Sequence, residues 1–201
     1  MEPLIVATRN EHKLRELREL LPRFALEPLP EGIELPPEDG DTFADNALVK
    51  ARAAAAGTGR AVVADDSGIE AVALGGQPGV RSARFAGEDA SDEANLAKLL
   101  GALEGAADRS VAYVCALALV EADGTETVFA RRCEGELAAE PRGDGGFGYD
   151  PAFVPAATGP GDRRTMAELS PDEKNAISHR GLAARALAVH LMIQSEAGRG
   201  R

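Results

Sequence analysis

The sequence predicts an α/β fold built on a mixed β-sheet. Three observations carry this: an apolar strand leading at once into an amphipathic helix at the N-terminus, a long hairpin pattern around Asp123-Gly124, and helices interleaved with the strands. The 201 residues, 44% of them hydrophobic, are enough to bury a core. With no tryptophan and few aromatics, that core should consist of aliphatic strands and alanine-rich helices. No repeat or linker divides the chain, so one domain is expected over residues 1–193. From Gln194 to Arg201 the apolar period is lost, and a flexible tail is expected there.

The elements follow in order. Leu4 to Ala7 reads as a strand, Thr8-Arg9-Asn10 as a turn, and Leu14, Leu17, Leu20 and Leu21 as the apolar stripe of a helix whose N-terminus sits at the strand's end. A proline-rich surface connection runs from Pro28 to Pro37 and ends in Glu38-Asp39-Gly40-Asp41. Thr42, with Asp45 three residues on, forms a capping box for an alanine-rich helix reaching about Ala56. Arg60 to Asp65 is the next strand, expected to break at Ser67-Gly68, with Ile69 to Leu74 continuing into a hairpin or sheet edge. A loop with Pro78-Gly79 follows, and Ser91 caps a helix through Leu103. Ser110 to Val120 and Thr125 to Leu137 pair as an antiparallel hairpin across the two-residue turn signal Asp123-Gly124. A glycine- and aromatic-rich stretch, Gly143 to Pro155, precedes a short helix around Met166 to Leu169 and a longer one from Ser178 to about Ile193.

Composition narrows the function. A formal net charge of −11 opposes a sequence-independent grip on nucleic acid, which needs a basic face to displace counterions. A free nucleotide remains open, because a few cations, backbone N–H groups and a divalent metal can converge locally in an acidic protein. Cys115 and Cys133 lack any zinc spacing and read as buried thiols. Met1 leads into a strand without a basic leader, and no apolar stretch is long enough to span a bilayer. A soluble, cytoplasmic protein with no membrane partner is expected.

Four segments can carry chemistry. Thr8-Arg9-Asn10-Glu11-His12-Lys13 lies where a strand hands over to a helix, so free N–H groups and the helix dipole can face an anion; an ordinary helix cap is the competing reading. Lysine usage bears on this. The chain has four lysines, Lys13, Lys50, Lys98 and Lys174, against eighteen arginines, so a lysine in a motif is a suspect for a tight phosphate contact. His12 and His190, taken singly, read as surface residues. Ala64-Asp65-Asp66-Ser67-Gly68 puts two carboxylates at the end of a strand, where magnesium could be held and a carboxylate could take a proton from water; an Asp-Ser-Gly turn explains it equally well. Alternation along a strand directs Asp65 and Asp66 to opposite faces. Glu38, Asp39 and Asp41 read as solvated surface unless one joins a metal. In Gly143-Asp144-Gly145-Gly146-Phe147-Gly148-Tyr149-Asp150-Pro151, four glycines beside two aromatics allow a flat ligand to approach and stack on Phe147, or mark a bulge at a sheet corner. Finally, Lys174-Asn175-Ala176-Ile177-Ser178-His179-Arg180-Gly181 puts His179 and Arg180 in a first helical turn, where cations oppose the dipole and hint at an anionic or polar ligand.

As an ordered set from Leu4 to about Met192, these segments resemble the inosine triphosphate pyrophosphatase family, also called Ham1-like or dITP/XTP pyrophosphatases. The carriers are Thr-x-Asn-x-x-Lys, Glu-Asp-Gly-Asp-Thr-Phe-Ala-Asp-Asn-Ala, Ala-Asp-Asp-Ser-Gly, Pro78-Gly79-Val80-Arg81-Ser82-Ala83-Arg84-Phe85, Gly-Gly-Phe-Gly-Tyr-Asp-Pro and Lys-Asn-x-Ile-Ser-His-Arg-Gly. The resemblance implies an elongated mixed sheet flanked by helices forming two lobes, a nucleotide cleft between them, a homodimer, and magnesium-dependent hydrolysis of ITP, dITP and XTP to monophosphate and pyrophosphate. It implies that Thr8, Asn10 and Lys13 hold phosphates, that Glu38 and Asp66 serve the magnesium, and that Asp66 accepts the proton of the attacking water. Ser67 would touch the substrate, while Phe147, Gly148, Tyr149, Asp150, Lys174, His179 and Arg180 would line its base and sugar. Donors from His179 or Arg180 would favour a 6-oxo purine over adenine. Family members commonly carry Gly where this chain has Arg9 and Glu where it has Asp45. A pyrophosphatase for other modified nucleotides, and a nucleotide sensor without turnover, stand as alternatives.

Overall fold

The structure, a computed structural model, describes residues 2–199. Its elements are β1 (Leu4–Val6), α1 (Glu11–Leu20), β2 (Leu26–Pro28), α2 (Phe43–Thr58), β3 (Val62–Ala71), α3 (Asp92–Ala102), β4 (Ser110–Val120), β5 (Glu126–Leu137), β6 (Phe153–Pro155), α4 (Pro171–Ile177) and α5 (His179–Arg199). Short 3-10 helices lie at Val72–Leu74, Gly79–Arg84, Ala156–Thr158 and Met166–Glu168. The strands form one six-stranded sheet in the order β2-β1-β3-β4-β5-β6. β1 runs parallel to β2 and β3, and β5 antiparallel to β6, so the sheet is mixed.

Local chemistry accounts for most helix starts. The Asn10 side chain accepts the Lys13 N–H at 3.1 Å and opens α1. Thr42 Oγ1 accepts the Asp45 N–H at 3.1 Å and donates to the Asp45 carboxylate at 2.7 Å, opening α2, which stops at Gly59 with φ +67°. Ser91 caps α3, and a Ser170–Glu173 capping box opens α4, which the sequence reading overlooked.

Several boundaries differ from expectation. β3 runs unbroken through Ser67-Gly68. A Cβ on Gly68 would come within 2.3 Å of Ser82 Oγ and 2.8 Å of the Gly79 carbonyl, so this glycine permits a close approach inside a continuing strand. The β4–β5 connection takes in residues 121–125: the Gly124 N–H donates to Glu121 O and the Glu121 N–H to Thr125 O, both at 2.9 Å, with Gly124 at φ +86°. That is a turn plus a left-handed glycine rather than a two-residue loop, and it is too short for a parallel crossover. β2 and β6, three residues each, are strands that the sequence pattern does not predict. α5 continues to Arg199, so Gln194 to Arg199, expected in the tail, are helical, while Gly200 and Arg201 lie outside the described residues.

The chain divides into two compact units. Unit 1 holds the residues up to Asp66, 115–131 and those from Arg180 on; unit 2 holds 67–114 and 132–179. Each has its own core. In unit 1, Leu4 and Val6 of β1, Leu17 of α1, Leu117 and Leu119 of β4 and Leu187 of α5 pack together. In unit 2, Ile69, Leu99, Tyr113, Leu137, Phe153 and Met166 do so. Among the described residues no helix is long and apolar enough to cross a membrane.

Candidate active site

In unit 1 the site begins with β3, where successive carboxylates meet different partners, as strand alternation predicts. Asp65 is fully buried. Its Oδ1 pairs with Lys13 Nζ, and its Oδ2 accepts from Arg180 Nε at 3.1 Å and from the Cys115 thiol at 3.2 Å. Burial alone would push this carboxyl up, but the charges and hydrogen bonds of Arg180 and Lys13 hold it well below the usual carboxylate range. Arg180 also pairs with Glu16.

Asp66 is 4% exposed. Its Oδ2 accepts from Asn46 Nδ2 at 3.0 Å and its Oδ1 lies 4.0 Å from Lys50 Nζ. Lys50 also pairs with Glu38 and donates to the Asp65 carbonyl at 2.7 Å. Burial pushes the Asp66 carboxyl above its ordinary range; Lys50 and Lys13 counter this only in part, and the Glu38 charge adds to the rise. Asn46 works in both directions, because its Oδ1 accepts the Gly40 N–H at 2.7 Å and so ties the acidic segment to Asp66.

Glu38 and Asp66 thus converge on one ammonium, and a cation is what this pair accommodates. Among the described residues no three His, Cys, Asp or Glu side chains group as a metal cage. Two carboxylates suit magnesium, which keeps waters and takes its remaining oxygens from substrate phosphates. The donor set therefore fits.

Sequence reasoning named Lys50 only as a scarce lysine and missed Asn46 and Glu16. A signal was present: Asn46 and Lys50 stand at i and i+4, hence on one face of α2. The structure adds that both are buried, at 2% and 6% exposure.

The expected phosphate segment is sorted by the structure. Thr8 Oγ1 accepts the Asn10 N–H at 3.1 Å in a local turn, and Asn10 caps α1. Lys13 alone enters the carboxylate centre. The guanidinium of Arg9 turns to the carbonyls of Leu29, Pro30 and Ile33. His12 Nδ1 lies 2.8 Å from Arg15, and Glu11 is exposed in the first turn of α1. Arg9 thus faces the connection after β2, and Glu11 faces solvent.

In unit 2 the glycine-rich loop is organised by Asp150. Its carboxylate accepts from Tyr113 Oη and from the Phe147 N–H, both at 3.0 Å, and from Lys174 Nζ at 2.8 Å. Lys174 also lies 5.3 Å from the centre of the Phe147 ring. A Cβ on Gly146, at φ +73°, would fall 2.1 Å from the Asp150 carboxylate, so only glycine lets the loop fold this tightly. The Gly148 N–H donates to Asp92 at 2.8 Å. His179 stacks on Tyr113 at 4.6 Å, and Tyr113 on Phe153 at 4.3 Å. Phe147, Asp150, Lys174 and His179 are therefore brought together around Tyr113.

Two residues expected on this side have partners of their own in the fold. Tyr149 is buried and donates to Ser82 O at 2.7 Å, which makes it a core residue that anchors the loop. The guanidinium of Arg180 meets Asp65 and Glu16 in unit 1. Ser67 is partly exposed on β3. Both cysteines are buried as expected, and burial pushes the Cys133 thiol up to about 12.

What this arrangement supplies is a desolvated carboxylate with raised proton affinity beside lysine ammonium groups, and separately a glycine-rich platform with an aromatic ring. Residues 4–190 match the model of the Ham1 family. The chain is 52% identical to the dITP/XTP pyrophosphatase of Mycobacterium tuberculosis over 201 residues, covering 94% of this chain and 93% of the relative. Its fold is similar to that of a HAM1 protein from Coxiella burnetii, with a TM-score of 0.85 and 42% identity over 96% of this chain and 99% of the other. It is also similar to a nucleoside-triphosphatase / dITP/XTP pyrophosphatase from Mycobacterium abscessus, with a TM-score of 0.74 and 47% identity over 92% and 98% of the two chains. A family model spanning nearly the whole sequence, with relatives about half identical along it, leaves one conclusion: the chain belongs to the Ham1 family.

Proposed function

We propose that the chain hydrolyses deaminated purine nucleoside triphosphates, namely dITP, ITP and XTP, to the monophosphate and pyrophosphate, with magnesium, as a cytoplasmic homodimer. The observation that carries this is Asp66, a buried carboxylate of raised proton affinity held by Asn46 beside Lys50 and Glu38, in a chain half identical to proteins named dITP/XTP pyrophosphatases. Asp66 accepts a proton from the water whose oxygen bonds to the α-phosphorus, as the bond from that phosphorus to the bridging oxygen breaks and pyrophosphate leaves. Lys13 and Lys50 supply compact positive charge for the triphosphate. Glu38 and Asp66 are the groups that would hold magnesium, which when bound neutralises phosphate charge and orients the triphosphate. Asp65, clamped by Arg180, keeps Lys13 in place. In unit 2, Phe147 offers a face for a base, and His179, rather than the engaged Arg180, offers a ring nitrogen to a 6-oxo purine. The net charge of −11 is consistent with a free nucleotide rather than a nucleic acid as substrate.

The test is product release from a panel of triphosphates with magnesium. Pyrophosphate from dITP, ITP and XTP, and far less from ATP or GTP, is expected. Orthophosphate alone would place the attack elsewhere, and tight binding without product would make the chain a sensor. Lys13→Ala should raise KM by about tenfold or more while lowering kcat less, since it removes a charge-assisted phosphate contact. An unchanged KM would take Lys13 off the phosphates.

A further inference from the structure

We infer that Arg9 is a positioning residue that fixes the proline-rich connection carrying Glu38, and through it the affinity of the site for its divalent cation. The inference rests on the reading of Glu38 as a metal ligand.

The residues between β2 and α2, 29–42, make a long stretch without regular structure. Pro30, Pro36 and Pro37 have no N–H to donate, and the segment's own backbone supplies a long bond, from the Ile33 N–H to Pro30 O at 3.5 Å. Its carbonyls gain further donors from elsewhere. Arg9 supplies them: Nη1 donates to Leu29 O at 3.2 Å, and Nη2 donates to Pro30 O at 3.2 Å and to Ile33 O at 2.8 Å. A planar guanidinium with five donors can hold three carbonyls at once, whereas an ammonium concentrates its donors at one atom.

Around these carbonyls the segment is docked by apolar contact. Leu29 is 4% exposed, and Ile33 presses on α2 so closely that a Cβ on Gly57 would lie 2.7 Å from its Cδ1. Five residues after Ile33 the chain reaches Glu38, which pairs with Lys50 next to Asp66. Arg9 leaves the turn between β1 and α1 that also leads to Lys13, so one guanidinium ties the lysine-bearing turn to the glutamate-bearing connection. Arg9 has no positive φ, which means its side chain, not an unusual backbone, distinguishes this position from a glycine.

Arg9→Ala and Arg9→Lys test this in the full-length protein. A glutamate-specific protease reports the segment directly, since Glu31 and Glu34 lie within it. Cleavage there should quicken about tenfold in Arg9→Ala, as loss of the three bonds favours local opening, with Arg9→Lys in between. The magnesium concentration giving half-maximal rate should rise about fivefold, a larger change than in kcat. Unchanged cleavage at Glu31 and Glu34 would overturn the inference. So would unchanged magnesium dependence together with weaker metal-free binding of pyrophosphate, because that result would put the guanidinium on phosphate. A wild type that releases no pyrophosphate from any triphosphate would sink the proposed function instead, while the protease comparison would still decide whether Arg9 holds the segment.

Discussion

Asp66→Asn is expected to lower turnover roughly 10²–10⁴-fold with KM nearly unchanged, because the substitution removes the base while keeping volume and the acceptor that Asn46 uses. The same change should not weaken the fold. Burial raises the Asp66 carboxyl above its ordinary range, so the folded protein binds that proton more tightly than the unfolded chain does. Ionised Asp66 therefore costs stability once the pH exceeds the folded value, and the metal-free protein gains stability as the pH falls back through it. An amide carries no such cost. In metal-free buffer near neutral pH, the thermal midpoint of Asp66→Asn should equal or exceed that of wild type. Near-normal turnover would remove Asp66 from the chemistry, and a markedly lower midpoint would show that its charge is structural.

Asp65→Asn should behave in the opposite way. Asp65 is fully buried and answers Lys13 and Arg180 together. Removing its charge leaves the guanidinium of Arg180, itself 3% exposed, with Glu16 as its remaining carboxylate among the ion pairs described. Breaking a buried pair from one side costs about 3–5 kcal/mol. In a chain of this size, with about 2–4 °C per kcal/mol, the thermal midpoint should fall by about 10 °C. The pH dependence follows from the depressed carboxyl. Its contribution is complete above the ordinary carboxylate range and disappears only as the pH falls through the lower folded value, so the gap between variant and wild type should persist from neutral pH well into acid. A midpoint within a degree or two of wild type at neutral pH would show that the Asp65 network contributes little.

These two expectations separate neighbours that look alike in the sequence. Strand alternation distinguished their faces, but not that one face holds Arg180 and Cys115 and the other Asn46 and Lys50. Arg180 comes from α5, 115 residues away from Asp65 in the chain. Nothing in the Ser-His-Arg-Gly segment signals which carboxylate it meets.

Local rules settle the parts of the protein that need only near neighbours. Asn10, Thr42, Ser91 and Ser170 sit where capping chemistry requires, and the strand, turn and helix order at the N-terminus follows from the apolar period. The long strands around Asp123-Gly124 were legible for the same reason, since eleven and twelve residues of pattern outweigh any single turn residue. Ordered motifs were enough to name the family. Tertiary structure decided the rest, wherever a residue's behaviour depends on a partner distant in sequence. β2 and β6, three residues each, exist because β1 and β5 offer them an edge. Gly68 continues a strand because Ser82 and Gly79 crowd it. Arg9 looked like part of a phosphate loop until the carbonyls of residues 29–33 came within its reach, and Lys50 looked like one more helix lysine until Glu38 and Asp66 closed around it. Backbone propensity and capping are written in a few consecutive residues, whereas burial and charge pairing are properties of what the folded chain brings alongside.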